Sequence, residues 1–286
     1  MKIQVILLAL LLSVTLYAHE EPSKTLYEKQ QKEKTRKRIK DSGIIQSTAW
    51  KYTPVDGKLP EEGSKYLVQE YDENGNLSAV EAYKEDTLSL RVEYTFDKDH
   101  NMLTDTDLSP QGVVLEKNVF TYNPAGCVLS GEGFDGSGRV SGRFTIDLDA
   151  AGRALTFIKY RQHDSLDYRL VYSYAGHPDS SDYSEAAKYG ADGMLLLQVK
   201  KIHDEKGNIL EKTVMGPDQA VMHSFYYAYT PDGQFARITR KLAGGTPDWT
   251  DEYTYDQQGN CMEVKSYDAG NNLKTVIRYT YEHRGR

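Results

Sequence analysis

The stretch Tyr253-Thr254-Tyr255-Asp256-Gln257-Gln258-Gly259-Asn260 is a tyrosine-rich strand end running into a glycine-containing turn, and degraded copies of it recur from about residue 66 to the C-terminus. Turns begin near 71, 83, 96, 108, 122, 134, 148, 160, 174, 189, 203, 215, 229, 242, 255, 267 and 281, at gaps of 12 to 15 residues. One strand and a tight turn need about that many residues, whereas two-helix repeats need more than about 30. If each turn reverses the chain, alternate turns share an edge. Those at 71, 96, 122, 148, 174, 203, 229, 255 and 281 recur every 25 to 29 residues, so the repeat is a two-strand hairpin of about 26 residues.

The turns carry suitable chemistry. In Asp72-Glu73-Asn74-Gly75-Asn76, Asn123-Pro124-Ala125-Gly126, Asp204-Glu205-Lys206-Gly207-Asn208 and Asp256 to Asn260, the first residue can cap backbone N–H groups. Glycine then supplies the positive φ that closes the hairpin. Each loop offers too few oxygen side chains for calcium and lacks a bidentate Glu at its end, so no metal site is expected. Between turns, Leu88, Leu90, Val92, Tyr94 and Phe96 alternate with Ser89, Arg91, Glu93, Thr95 and Asp97. Such alternation gives a sheet one apolar and one wet face. The predicted fold is all-β: an antiparallel meander of about 17 strands, curled into an open or closed barrel-like spiral.

Pairs of apolar residues lead into one edge: Tyr94/Phe96, Phe120/Tyr122, Ile146/Leu148, Tyr172/Tyr174, Tyr227/Tyr229, Tyr253/Tyr255 and Tyr279/Tyr281. They form a ladder in two columns. Exposed, its tyrosines could stack on sugar rings or anchor a protein. Buried, they would be the core of a sheet curled on itself, the reading favoured here. The ladder fails once, at Lys201 and His203, after the irregular stretch 175–188. This is the place to expect a seam, spanning 175–203, between two halves of the domain.

The N-terminus has the layout of a secretory signal over residues 1–18: Lys2, an apolar run from Val5 to Leu16, then Leu16-Tyr17-Ala18. That run is too short for a spanning helix, and no other approaches it. Residues 19–43 form a charged leader, helical or flexible, and 44–286 form the repeat domain. Lys24 to Lys40 carries eight Lys or Arg against Glu28 and Glu33, within a chain of formal charge −7. The leader could touch an anionic surface weakly, but with so few apolar residues it is read first as a solvated spacer. The acidic remainder excludes a nucleic-acid binder.

Chemistry is otherwise sparse. Gly131 to Gly136 spells GxGxxG but lies in a short strand and its turn, without the helix a dinucleotide site requires, so no cofactor is expected. The seven histidines show no ligand spacing, and several fall at turns, where a solvated imidazole is the default. Cys127 and Cys261 are ten strands apart, roughly 48 Å along a flat sheet, and are expected as free thiols.

Tyr253-Thr-Tyr-Asp-Gln-Gln-Gly-Asn, Tyr267-Asp268-Ala-Gly-Asn-Asn-Leu273, Tyr279-Thr-Tyr281 and Tyr71-Asp-Glu-Asn-Gly-Asn-Leu77 resemble the tyrosine–aspartate (YD, or RHS-type) repeat of bacterial secreted and surface proteins. The resemblance covers roughly residues 66–286 and implies a β scaffold and an exported location, periplasmic or extracellular. It implies no activity; the long versions of the family form shells around toxins, and this chain is too short for one. The expectation is an exported, non-enzymatic scaffold or binding protein whose partner is a protein or a surface polysaccharide. The competing class is an envelope glycan hydrolase using a carboxylate pair that sequence cannot pick out.

Overall fold

Period-two alternation dictates strands with one dry face, and a dry face this long must be covered. The computed structural model, which describes residues 26–174 and 182–285, shows how. The expected signal segment 1–18 and the stretch 175–181 of the expected seam lie outside the described residues. The helix α1 (Leu26–Ser42) leads directly into β1 (Ile44–Tyr52). There follow β2 (Ser64–Tyr71), β3 (Leu77–Lys84), β4 (Thr87–Phe96), β5 (Met102–Leu108), β6 (Val114–Tyr122), β7 (Val128–Asp135), β8 (Val140–Leu148) and β9 (Ala154–Arg161). The second half comprises β10 (Leu166–Ser173), β11 (Glu185–Gly190), β12 (Leu195–His203), β13 (Ile209–Met215), β14 (Val221–Tyr229), β15 (Phe235–Leu242), β16 (Pro247–Tyr255), β17 (Cys261–Asp268) and β18 (Leu273–His283).

Each strand pairs antiparallel with its neighbours in sequence, and β18 returns to β1, setting Tyr279 opposite Ala49. The sheet is a closed 18-stranded barrel. The repeat itself supplies β2 to β18; β1, which lies outside the recurrence, is the added strand that closes the ring. Closure pairs the two rows of backbone groups that an open meander would expose at its edges. Cys127 and Cys261 are both free thiols. In a ring of 18 they lie ten strands apart one way and eight the other, on nearly opposite walls.

The ladder residues face inward. Buried side chains form three arcs along the wall: Val80 to Leu170, Ala186 to Ile238, and Ala49 with Val264 and Ile277. Tyr172 and Tyr253 bridge successive arcs. The outward face is charged and cross-linked by ion pairs. Arg91 holds Glu70, Glu81 and Glu93, Arg237 meets Glu252, and Arg278 meets Glu263. Large apolar side chains are exposed beside these pairs, Leu103, Leu129, Leu155, Leu196, Ile202 and Met222 among them. No described helix is long and apolar enough to cross a membrane.

The charged leader is the helix α1, and it lies across one end of the barrel. Lys29 Nζ donates to the Ala125 carbonyl at 2.7 Å, and Arg36 Nη1 to that of Asn74 at 2.7 Å. Ile39 is 4% exposed, and Gly75 lets the chain pass so close to the Arg36 carbonyl that a Cβ would collide with it. A helix with no apolar stripe thus docks through cations on turn carbonyls. Hydrophobic periodicity carries no trace of such an interaction, which is why the sequence reads it as a spacer.

Candidate binding cavity under the helix

The turns beneath α1 explain the repeated motif residue by residue. Asp72 Oδ1 accepts the N–H groups of Asn74 and Asn76, and its Oδ2 accepts the Asn76 side-chain amide at 2.7 Å. The same box recurs at Asp97/Asn101, Asp204/Asn208 and Asp256/Asn260. Burial works against ionisation at Asp256, but the donors from Asn260 and Gln258 hold its carboxyl below the usual carboxylate range. These carboxylate oxygens are committed to N–H donors, the role that turn chemistry assigns them.

The tyrosine has an equally defined task. Just past each turn the strand register slips, as at Phe96/Met102 and Tyr255/Cys261, and the bulge disturbs the ladder there. The second aromatic of the ladder pair donates its hydroxyl to the carbonyl at that slip. Tyr122 bonds Met102, Tyr174 bonds Ala154, Tyr229 bonds Ile209, Tyr255 bonds Phe235 and Tyr281 bonds Cys261, all between 2.6 and 2.9 Å. Phe96, without a hydroxyl, instead packs against the core of the first arc. The first members of the pairs, Tyr94, Phe120, Tyr172, Tyr227, Tyr253 and Tyr279, pack in the arcs, and burial raises the Tyr172, Tyr227, Tyr253 and Tyr279 hydroxyls above their ordinary pKa. The structure therefore brings the ladder together along the inner wall, with its hydroxyl column spent on the backbone.

At the break in the ladder, Lys201 and His203 converge on one buried carboxylate. Lys201 Nζ lies 2.9 and 2.8 Å from the two oxygens of Asp182, and His203 Nε2 lies 3.0 Å from Oδ2. Burial opposes the Asp182 charge, yet the His203 hydrogen bond and the Lys201 cation hold its carboxyl below the usual range. Lys201 also sits 3.5 Å above the centroid of the Tyr183 ring. Two ladder positions are thus exchanged for a buried ion cluster.

Between α1 and the inner wall of β2 to β6 lies a cavity of about 440 Å³. Leu77, Val80, Phe96, Met102 and Ile39 give it apolar walls, while Lys32, Arg36, His100 and Asn101 supply polar groups. That size and composition match small-molecule sites. His100 is its most unusual member. The corresponding turn position is glycine at Gly75, Gly126, Gly152, Gly207, Gly233 and Gly259, with φ between 77° and 83°. His100 adopts φ 62° there, a left-handed conformation that disfavours a side chain. Its Nδ1 is buried without a hydrogen-bond partner. Sequence reasoning passes over His100 as one more turn histidine. The available signal is its place in the motif, since Asp97-Lys98-Asp99-His100-Asn101 aligns with Asp72-Glu73-Asn74-Gly75-Asn76.

No family model and no curated protein matches this chain. Among solved structures it is similar to a porin-like protein from Bacteroides uniformis, with a TM-score of 0.46 and 10% identity over 84% of this chain and 98% of that one. A porin-like protein from Bacteroides vulgatus aligns at a TM-score of 0.33 and 13% identity over 67% of this chain and 94% of that one. The Photorhabdus luminescens Tc holotoxin pore aligns at 0.34 and 14% identity, over 74% of this chain but 16% of that one.

Proposed function

We propose that this protein is an exported, non-enzymatic binding barrel that holds an amphipathic anion, an acyl chain with an acidic head, in the cavity under α1. The carrying observation is His100: a strained residue, with an unpartnered buried nitrogen, facing an apolar cavity of about 440 Å³. Strain of this kind persists where function keeps it. The apolar wall suits an alkyl chain, and Arg36, Lys32 and His100 suit its head. The inward ladder also speaks against an outer aromatic surface for a protein or polysaccharide, and for a ligand that enters the barrel. The ion-paired exterior supports a barrel working in an aqueous compartment such as the periplasm. The fit of every motif residue to a task in the hairpin supports reading the chain as a short member of the YD-repeat family.

A dansyl-labelled fatty acid titrated into the full chain should bind saturably. Thr35→Trp, which fills the cavity from the exposed side of α1, should weaken that binding by about ten-fold. Absence of saturable binding would overturn the ligand class. Turnover of an envelope polysaccharide that disappears on a single carboxylate substitution would instead establish the hydrolase.

A further inference from the structure

The cavity under α1 continues past His100. Between α1 and the turns that follow β4 and β6 runs an open groove of about 750 Å³, with Gln30, Lys34, Lys98 and Ala125 in its lining. Lys29, Glu33, Asp99 and His100 line both spaces, so the two meet at these residues. The residue with the strained backbone and the unpartnered Nδ1 is therefore also a junction residue. It has an apolar compartment on one side and a charged one on the other.

The two compartments offer an anion different things. In the inner one Arg36 is already engaged: its guanidinium holds Glu33 at 2.8 and 2.7 Å and donates to the Asn74 carbonyl. Those hydrogen bonds, working against burial, bring the Glu33 pKa down to about 2, so the two stay ionised together. Lys29 donates to the Ala125 carbonyl. In the groove, Lys34 and Lys98 are exposed, and among the described residues neither has an ion-pair partner. One belongs to the helix and the other to the turn beneath it. Asp99 is the acid that opposes them, and with Glu33 neutralised by Arg36 the lining keeps a positive balance. Solvent screens each lysine, and an exposed charge pair by itself is worth little. What concentrates a head group on both is a second anchor, an apolar chain held in the adjoining cavity.

We propose that this groove is the head site for the ligand whose chain occupies the inner cavity, and that the head is a phosphate monoester. The occupant is a single-chain acyl lipid phosphate. Its chain lies on Leu77, Val80, Phe96 and Met102, its polar linker passes His100, and its phosphate rests between Lys34 and Lys98. This rests on the cavity reading above and narrows the acidic head to a phosphate. A phosphate carries about −1.5 to −2 charge near pH 7 and three acceptor oxygens, enough for two lysines at once, where a carboxylate brings a single charge. The ester and hydroxyl oxygens of a glycerol linker supply the partner that His100 Nδ1 lacks. A head left outside also keeps the whole inner volume for the chain.

Competition for the dansyl-labelled fatty acid on the full chain tests this, with lauroyl lysophosphatidate and lauric acid as competitors of equal chain length. Lysophosphatidate should displace the probe at about ten-fold lower concentration than lauric acid. Lys34→Gln combined with Lys98→Gln should remove that advantage and bring the two competitors to about equal potency. Lys274→Gln, which removes a lysine at the far end, should preserve it. On the unsubstituted chain the advantage should shrink as sodium chloride rises. Glycerol 3-phosphate, the head without a chain, should not displace the probe at these concentrations; displacement by it would assign the groove to a soluble phosphate and overturn the lipid. Equal potency on the unsubstituted chain, an advantage that survives the double substitution, or one indifferent to salt overturns the phosphate head and leaves the acyl cavity standing. No saturable binding of the probe fails the cavity reading itself, and this inference with it.

Discussion

The two ends of this barrel are closed by the same backbone device and finished differently. At the α1 end, Asp72 N–H bonds the Asn76 carbonyl while Gly75 N–H bonds that of Asp72; at the far end, Asp268 and Asn272 with Asn271 repeat the pattern. Even the side-chain box recurs, with Asn272 Nδ2 on Asp268. Among the described residues, the α1 end adds the tyrosine hydroxyl bonds to backbone carbonyls, the overlying helix, the Asp182 ion cluster and the cavity of about 440 Å³. Asn260 is 2% exposed and Asn272 is open to solvent. The lesson is that one local motif has different worth according to what covers it: a hydrogen bond exchanged with water is nearly neutral, and one sealed from water is not.

The sharpest way to break this comparison is through charge. Lys201→Met removes the cation that spans both oxygens of the buried Asp182, and chemical denaturation should show a loss of about 3–5 kcal/mol. The far-end pair Arg161–Asp167 is more open on the arginine side, and Arg161→Gln should cost about 1 kcal/mol or less. Equal losses would mean the ends do not differ.

Asparagine gives a matched test of smaller size. Asn260→Ala should lower stability by about 1–3 kcal/mol and Asn272→Ala by less than about 0.5 kcal/mol in the same urea titration. His100→Gly reverses the sign: relief of its left-handed backbone should raise stability by about 1 kcal/mol while weakening fatty-acid binding. A stabilised variant with full affinity would separate the strain from the cavity.

The smallest effect is in acid. Asp97, Asp204 and Asp256 have folded pKa values held below the ordinary carboxylate, mainly by the asparagine donors that outweigh burial. For a depressed pKa the contribution is fully present above the unfolded value, about 3.9, and is lost as pH falls through the folded value. Stability measured between pH 5 and pH 2 should therefore decline less steeply in Asp256→Asn than in the unsubstituted chain. Asp268 at the far-end turn is likewise held below the ordinary carboxylate, by the backbone N–H and side-chain amide of Asn272, so Asp268→Asn should flatten the slope too, and by less than Asp256→Asn because solvent screens that turn.

Much of the architecture was legible in residue spacing. The 26-residue recurrence fixed strand direction and the shared edge, because turn length and period two are local constraints. The ladder break at Lys201 and His203 was legible as a departure, but Asp182, which explains it, reaches them from 19 and 21 residues away through the fold. His100 was hidden because a histidine in a turn looks solvated until a helix lies over it. The docking of α1 left no mark because its bonds go to carbonyls, which every residue possesses.

By itself, then, the sequence determined the hairpin, its repeat and which face of each strand would be dry, since all three follow from backbone geometry and side-chain alternation. Tertiary structure alone decided that β1 closes the ring and that a charged helix covers one mouth. It also placed Lys212, Phe225, Arg240 and Trp249 in one row. Those outcomes depend on register between partners 9 to 15 residues apart along β13 to β16 and on the pairing of β1 with β18 across the ring, where no local pattern constrains the partner.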